Sequence, residues 1–390
     1  MMNILFVVEN LDGANGQCIK AVSREAVRQG HHVHIVAEIY TQKDVDYCDV
    51  SVAFPNKKMK NPGSMTKWEY FKSKVLQLFH YPTWPLMDFG VLRSLQNKAN
   101  EILDKETFNT VVCVYGGVSP IIIGHRLKKR IPDIKFVAYF LDAFFHGAGI
   151  KPLPSWYTNK VALSWECILL NNADGIVKMK SVEPAYEDVK EEFLKKTIYL
   201  DIPLYAPFDY SSDKHFFPKE QFILFYAGTM PQGIRPPHYL LKLFNTIDDS
   251  RLHLYLAGNS DYINVLKEYA AKDSRIHIMG SLPHEQVVSL IKEADCLINI
   301  GNNLTNMVPC KIFEYMSYQK PIISTYRIDE DTCCPYIKTY GNSVLIDERL
   351  DIIQNACLIK NFLHNEKKDS INTNSFILNK PSTMVEYILK

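Results

Sequence analysis

Short apolar runs alternate with helical patterns along this chain, and the alternation runs through both halves of the sequence. Runs of strand length, such as residues 4–8 and 135–141, are apolar nearly throughout and lack the polar–apolar alternation of a half-exposed strand. Strands of that kind, when helices link them, predict a parallel sheet that is covered on both faces. Residues 222–324 repeat the plan, and three of their predicted strands end in glycine, where the chain can turn tightly beneath a ligand. The pattern predicts an α/β fold with two parallel-sheet domains.

The domain boundaries follow from the length of the chain and from one irregular segment. At 390 residues the chain exceeds the usual size of a single hydrophobic core. Residues 204–218 include prolines and carry few signals of regular structure. We expect an N-terminal domain over residues 1–203, a linker over 204–218, a C-terminal domain over 219–375 and a final helical segment over 376–390.

Composition and charge exclude one class of partner. An apolar fraction of 47% and a charged fraction of 22% are those of an ordinary folded protein. The formal net charge of +1 argues against nucleic acid as a partner, because nucleic-acid binding depends on an excess of Lys and Arg.

Other sequence-wide features bear on the cellular compartment. No apolar run approaches the ~20 residues that cross a bilayer, and no charged leader precedes a long apolar region at the N-terminus. The nine cysteines form no C-x-x-C pair, and no metal-ligand cluster of recognised spacing is present. We therefore expect a cytoplasmic protein without a metal or other cofactor, either soluble or peripheral on the inner face of the plasma membrane.

The most informative motif lies in residues 306–321, directly after a strand-like run. Pro309 suits the first turn of a helix because proline lacks the N–H group that would be unsatisfied there. Lys311 and Glu314 are three residues apart and therefore share one helix face. A helix N-terminus, a cation and a carboxylate that can bind a vicinal diol together predict a site for a nucleotide diphosphate. The alternative, a solvated Lys–Glu pair on an ordinary helix, stays open.

This segment resembles the nucleotide-sugar site of GT-B glycosyltransferases, especially the retaining, family-4-type enzymes. Their motif places two glutamates eight positions apart, the spacing of Asn306 and Glu314 here. Glu314 matches the second glutamate, which holds the donor ribose, and Asn306 stands where the first, which contacts the donor sugar, would be. The resemblance implies a GT-B fold, in which two Rossmann-like parallel-sheet domains face each other across a cleft. It also implies a last helix that crosses back to the N-terminal domain.

By the same resemblance, the loop after Gly228 would contact the donor diphosphate. Family members carry basic residues in this loop, where they neutralise the leaving group. Arg235 would serve in this role together with Lys311, and Thr229 replaces one basic position of the family.

Two further loops are candidates by position. In the family, the loop that contains Leu282 would flank the nucleotide base, and Met307 begins the run of N–H groups that would approach the diphosphate. Asp142 and His146 follow the fifth strand of the N-terminal half, where they could orient an acceptor hydroxyl or the donor sugar. The alternative, that Asp142 caps a loop and His146 packs in the interior, is equally compatible with the sequence.

The loop after the first strand contains Gly13, Asn15 and Gly16 and opens a helix. The family has a glycine-containing loop at this place, where donor phosphate or acceptor settles against the helix start. The spacing does not match the G-x-G-x-x-G fingerprint of dinucleotide sites, and a plain strand-to-helix turn also explains these glycines.

Residues 57–84 interleave lysines with aromatic side chains. Such a pattern suits an interfacial helix that embeds its aromatics and pairs its lysines with an anionic membrane surface. The alternative is an amphipathic helix that packs on its own domain with solvated lysines.

We conclude that the sequence predicts a glycosyltransferase of retaining, hexosyl-transferring type that acts in bacterial surface polysaccharide assembly. It would move a sugar from a nucleotide-diphosphate donor to a saccharide or lipid-linked saccharide, with Asp142, His146 and Asn306 as the catalytic candidates. Two alternatives are a nucleotide-sugar 2-epimerase on the same fold and a non-catalytic GT-B binding subunit. The second follows from the replacements at Asn306 and Thr229.

Overall fold

The structure is a computed structural model, and it describes residues 1–54, 68, 84–86, 88–141, 154–180, 191–208, 215–305, 308–364 and 373–390. The chain divides into two compact units. The first comprises Met1–Pro203 and Leu378–Lys390, and the second comprises Leu204–Ile377.

A β-sheet forms the centre of the first unit. Its strands are β1 (Asn3–Asn10), β2 (His32–Ile39), β3 (Asp49–Val52), β4 (Thr110–Tyr115), β5 (Lys135–Phe140), β6 (Gly175–Met179) and β7 (Thr197–Leu200). They follow the order β3-β2-β1-β4-β5-β6-β7, and every neighbouring pair is parallel. Leu5, Phe6 and Val7 are fully buried although consecutive side chains of a strand point to opposite faces, so the centre of the sheet is covered on both sides.

Helices pack on this sheet: α1 (Ala14–Arg28), α2 (Phe89–Leu103), α3 (Ser119–Arg130), α4 (Ser155–Leu170) and the short α5 (Glu191–Leu194). Helix α3 lies very close to β5, because a Cβ atom on Gly124 would fall 2.1 Å from the ring of Phe136. A larger residue at position 124 would therefore push this helix away from the sheet.

The second unit repeats the arrangement with a second parallel sheet. Its strands are β8 (Phe222–Ala227), β9 (Leu252–Ala257), β10 (Ile276–Gly280), β11 (Cys296–Asn299), β12 (Ile322–Tyr326) and β13 (Ser343–Asp347). They follow the order β10-β9-β8-β11-β12-β13. Two parallel sheets in one chain confirm the α/β fold that the sequence predicts.

The helices of the second unit are α6 (His238–Asn245), α7 (Ile263–Lys272), α8 (His284–Glu293), α9 (Lys311–Ser317), α10 (Cys334–Tyr340) and α11 (Ile352–His364). A 3-10 segment (Thr373–Asn379) and helix α12 (Pro381–Leu389) follow. Helix α12 belongs to the first unit, where it packs against α1.

Part of the segment expected to form a linker packs on the second unit. Phe208 and Phe217 are almost fully buried. The Phe217 ring lies 4.7 Å from the ring of Tyr255, and the backbone N–H of Phe208 donates to the hydroxyl of Tyr318 at 2.9 Å. These two apolar side chains hold their parts of the segment against the body of the unit.

Candidate functional site

The candidate site lies at the carboxyl ends of β8 and β11, the neighbouring strands at the centre of the second sheet. From β8 the strand order continues to β9 and β10 on one side, and from β11 it continues to β12 and β13 on the other. Such a reversal of strand order leaves a crevice at the carboxyl ends of the two strands, the usual ligand site in open α/β sheets. The sequence-predicted residues Gly228, Thr229, Arg235, Lys311 and Glu314 all lie in or just beyond the two loops that follow these strands.

A glycine permits the close packing of loops at this edge. Gly258 has a φ of +124°, which side-chain-bearing residues rarely adopt, and a Cβ atom there would lie 1.9 Å from the carbonyl oxygen of Gly228. The ends of β8 and β9 therefore approach each other at a distance that only glycine allows.

Arg235 ties the loops after β8 and β11 together. Its Nε donates to Oδ1 of Asn302 at 2.8 Å, and its Nη1 donates to the carbonyl oxygen of Thr229 at 3.4 Å. Asn302 is fully buried, and its backbone N–H donates to Oδ2 of Asp331 at 2.8 Å. Burial raises the pKa of the Cys310 thiol beside helix α9, and the guanidinium charge of Arg235 is one of the groups that oppose this rise. The structure therefore brings Arg235 and the start of α9 into one neighbourhood.

Glu314 lies between two basic side chains. Its Oε1 accepts a hydrogen bond from Nε2 of His284 at 2.9 Å, and its Oε2 accepts one from Nζ of Lys311 at 2.5 Å. The Glu314 and His284 side chains are 2% and 5% exposed, whereas that of Lys311 is 25% exposed. Only Lys311 of the three reaches toward solvent.

The charge state of Glu314 follows from this pairing. Burial alone would raise the pKa of Glu314, but the charges of Lys311 and His284 and their hydrogen bonds outweigh burial and lower the pKa to about 2. The carboxylate is therefore ionised at neutral pH. An ionised carboxylate can only accept hydrogen bonds, so Nε2 of His284 must carry a proton.

Helix α9 is also anchored to β8. The backbone N–H of Ala227 donates to the hydroxyl of Tyr315 at 2.7 Å, and the same hydroxyl donates to the carbonyl oxygen of Ala227 at 3.2 Å. Tyr315 follows Glu314 directly, so this contact fixes the position of the carboxylate relative to the loop that carries Arg235.

The structure corrects two expectations for this segment. Pro309 does not occupy the first turn of the helix, because α9 begins at Lys311, with Cys310 as its N-cap, and spans seven residues. The pair of Lys311 and Glu314 is not solvated, because Glu314 is buried.

Of the other predicted site residues in the second unit, the structure describes only Leu282. Leu282 is half-buried and lies two residues before His284, in the turn after β10 where Gly280 has a φ of +69°. Asn306 and Met307 lie outside the described residues, as do Asp142 and His146 of the first unit and residues 57–67 and 69–83 of the basic, aromatic segment.

In the first unit, the loop after β1 is tied to the end of β4. Asn15 donates from Nδ2 to the carbonyl oxygen of Tyr115 at 3.2 Å. A Cβ atom on Gly16 would lie 2.1 Å from the carbonyl oxygen of Leu11, whereas the nearest neighbour of one on Gly13 would be the side chain of Asn10, at 3.2 Å. The turn itself therefore requires glycine at position 16. For Gly16, a plain strand-to-helix turn is a sufficient explanation.

Sequence reasoning missed a carboxylate in the first unit. Burial and the neighbouring charge of Glu38 raise the pKa of Glu9 to about 7, despite hydrogen bonds from the hydroxyl and N–H groups of Ser119. Glu9 and Glu38 lie near the carboxyl ends of adjacent strands β1 and β2. Each of these glutamates directly follows a short, mainly apolar run, residues 4–8 and 33–37, and this repeated position was a signal that the sequence offered.

Sequence reasoning also missed His284, because no local pattern marks this residue. His284 and Glu314 are 30 residues apart in the chain, and only the tertiary fold brings the first residue of α8 to the carboxylate on α9. Within the described residues, no group of three or more His, Cys, Asp or Glu side chains could hold a metal ion. In that same part of the chain, no helix combines the length and apolar character needed to span a membrane.

Comparison with known families finds a similarity for the second unit. Residues 208–375 match the family model described as glycosyl transferases group 1. The match covers less than half of the chain, and we call the matched residues the group 1 domain. The group 1 domain contains Arg235, Lys311, Glu314 and His284 within the matched residues, and glycosyl transfer is the reaction class of the family. A search of curated protein sequences finds no match.

Solved structures resemble the whole chain, not only the group 1 domain. Sucrose-phosphate synthase from Thermosynechococcus elongatus is 14% identical, with a TM-score of 0.59 over 99% of this chain and 94% of that one. WaaG, a glycosyltransferase involved in lipopolysaccharide biosynthesis, is 12% identical, with a TM-score of 0.56 over 99% and 95%. A UDP-N-acetylglucosamine 2-epimerase is 11% identical, with a TM-score of 0.53 over 94% and 88%. At these identities the likeness establishes the fold alone, which is GT-B with two Rossmann-like parallel-sheet domains.

Proposed function

We propose that the protein transfers a sugar from a nucleotide-diphosphate donor to a saccharide or lipid-linked saccharide acceptor, with the donor nucleotide held by the group 1 domain. One observation carries the proposal. The loop after β8 carries Arg235, and the helix that follows β11 carries the paired Lys311 and Glu314, at the edge of the sheet where the strand order reverses.

The two cations suit a departing nucleotide diphosphate. When the bond between sugar and phosphate breaks, negative charge grows on the diphosphate, and fixed cations that await it lower the barrier. Arg235 is held by Asn302 and by the carbonyl oxygen of Thr229, so its charge is already in place before the donor binds. Arg235 and Lys311 would supply the positive charge that a metal supplies in other phosphate sites, and we propose no metal requirement.

Glu314 would bind the two hydroxyls of the ribose. An ionised carboxylate offers about four lone-pair positions, and the hydrogen bonds from His284 and Lys311 occupy two of them. The partly exposed Lys311 covers the carboxylate in the absence of donor. When the diphosphate binds, Lys311 would turn from Glu314 to the phosphate, and the vicinal diol would take its place on the carboxylate.

The finer assignments extend this proposal. The resemblance of the segment around Glu314 to family-4-type enzymes supports retention of configuration and hexosyl transfer. A fold neighbour with a role in lipopolysaccharide biosynthesis supports a place in bacterial surface polysaccharide assembly. An acceptor of this kind fits a cytoplasmic enzyme that works at the inner face of the plasma membrane.

The test is a donor screen followed by product analysis. Thermal shift against UDP, GDP, ADP and CMP sugars identifies the donor, and mass spectrometry then follows its consumption with saccharide and lipid-linked saccharide acceptors. A glycosylated acceptor and released nucleotide are expected. Binding without turnover across donors and acceptors would instead identify a non-catalytic binding subunit.

A nucleotide-sugar 2-epimerase is the second candidate, because one observation favours it. Epimerisation of this kind eliminates and re-adds the nucleotide and therefore needs groups that exchange protons near neutral pH. Glu9, whose pKa is raised to about 7 chiefly by burial, is such a group. Incubation with a nucleotide sugar and no acceptor separates the two functions, since an interconverted sugar would exclude the transferase reaction as the main activity.

A further inference from the structure

His284 is enclosed on several sides at the start of helix α8. Its ring meets the ring of Phe208 edge to face at 4.8 Å, and Phe208 itself is almost fully buried. Phe208 is clamped by Tyr318, whose hydroxyl accepts from its N–H at 2.9 Å and donates to its carbonyl oxygen at 3.2 Å. The orientation of the imidazole is therefore set by packing as well as by its bond to Glu314.

The two basic partners of Glu314 differ in their freedom to move. Lys311 is a long side chain that is 25% exposed, so it can leave the carboxylate without opening the core. The side chain of His284 is only 5% exposed, and it donates to the other carboxylate oxygen of Glu314, Oε1. If Lys311 turns to the diphosphate, His284 is the partner that stays on the carboxylate.

We infer that His284 is a positioning residue that fixes the Glu314 carboxylate for the hydroxyls of the donor ribose. The inference rests on the proposed function, since it names the group that orients the ribose-binding carboxylate. The N–H of Nε2 holds Oε1 at a fixed point, and the carboxylate plane then presents Oε2 and its remaining lone pairs to the diol. Without this hydrogen bond, the carboxylate would rotate about χ3, the last side-chain torsion of Glu314, and its oxygens would no longer be held in position for the diol.

The structure predicts which substitutions keep and which abolish this function. Glutamine at position 284 carries an N–H donor at about the place of Nε2, whereas leucine fills similar space without a donor. His284→Leu should weaken binding of a ribose-containing nucleotide by roughly tenfold or more, the usual cost of a hydrogen bond to a charged group. His284→Gln should restore most of that loss.

The experiment compares nucleotides with and without the ribose hydroxyls. Isothermal titration calorimetry of the full chain with UDP, GDP and ADP selects the tightest ligand, which is then compared with its 2′,3′-dideoxy form. The parent should prefer the hydroxylated nucleotide, His284→Leu should lose this preference while it binds the dideoxy form as the parent does, and His284→Gln should regain it. His364→Leu, at an exposed histidine of α11, is the matched control and should behave as the parent. Circular dichroism melts verify that each variant is folded.

Two results would overturn the inference while leaving the proposed function intact. One is a full hydroxyl preference in His284→Leu. The other is an equal loss of affinity for both forms of the nucleotide, because a histidine that only supports packing would affect them alike. A parent protein that binds none of the nucleotides would refute the proposed function itself, and the inference with it.

Discussion

Glu314→Gln should destabilise the protein by about 3 kcal/mol at pH 7. Burial tends to raise the pKa of this carboxyl, yet Lys311 and His284 hold it at about 2, against an ordinary value of 4.5. At about 1.4 kcal/mol per pH unit, that difference corresponds to about 3 kcal/mol carried by the ionised form. Glutamine has nearly the same shape but no charge, so it keeps the volume and loses this contribution.

The contribution of Glu314 to the free energy of unfolding should also depend on pH. Because the pKa of Glu314 is lower in the folded state than in the unfolded state, its contribution is complete well above pH 4.5 and is lost as the pH falls through about 2. Urea unfolding of the parent, Glu314→Gln and the exposed control Glu285→Gln at pH 7 and pH 4 measures it. The gap between parent and Glu314→Gln should narrow by about 1 kcal/mol at the lower pH. Equal stability at pH 7, or a gap that does not change with pH, would refute the reasoning.

Three further predictions concern other residues. Arg235→Gln should lower kcat for sugar transfer by about a hundredfold or more in steady-state assays, because a preorganised cation acts on the leaving group; an unchanged kcat would remove Arg235 from the site. His253 and His277 share a hydrogen bond of 3.0 Å, and burial lowers the pKa of each. Protonation therefore favours the unfolded state, so melting temperature should drop as the pH falls below about 6.5, and His253→Phe should blunt the drop. Gly16→Ala should cost at least about 2 kcal/mol in urea unfolding, since the added methyl group meets backbone, whereas Gly13→Ala should cost less because it meets a side chain.

The sequence showed most clearly the strands at the centres of the two sheets, although it also predicted the edge strands β3 and β10. β1 and β8 are buried on both faces, so their apolar runs are continuous and visible in the sequence. The edge strands β7 and β13 were not predicted, because their residues are mostly half-buried and form no such run. Helix α4 was missed for a different reason: apolar side chains lie around its whole circumference, so it has no amphipathic stripe to recognise.

The sequence predicted the residue types of the candidate site but not their mutual contacts. The spacing of Lys311 and Glu314 predicted a shared helix face, and the two side chains do meet. The burial of Glu314 and its contact with His284 depend on where the tertiary fold places the start of α8, which local spacing does not encode. A motif can thus identify a carboxylate without revealing which neighbours set its charge and orientation.

The central claim, that Glu314 binds the ribose of a nucleotide donor, is tested most directly by calorimetric titration of UDP, GDP, ADP and CDP into the parent and Glu314→Ala. The account predicts that one nucleotide binds the parent and that the variant binds it more weakly by roughly 1–3 kcal/mol, the loss of hydrogen bonds to a charged group. Equal affinities of the folded variant and the parent would contradict the claim.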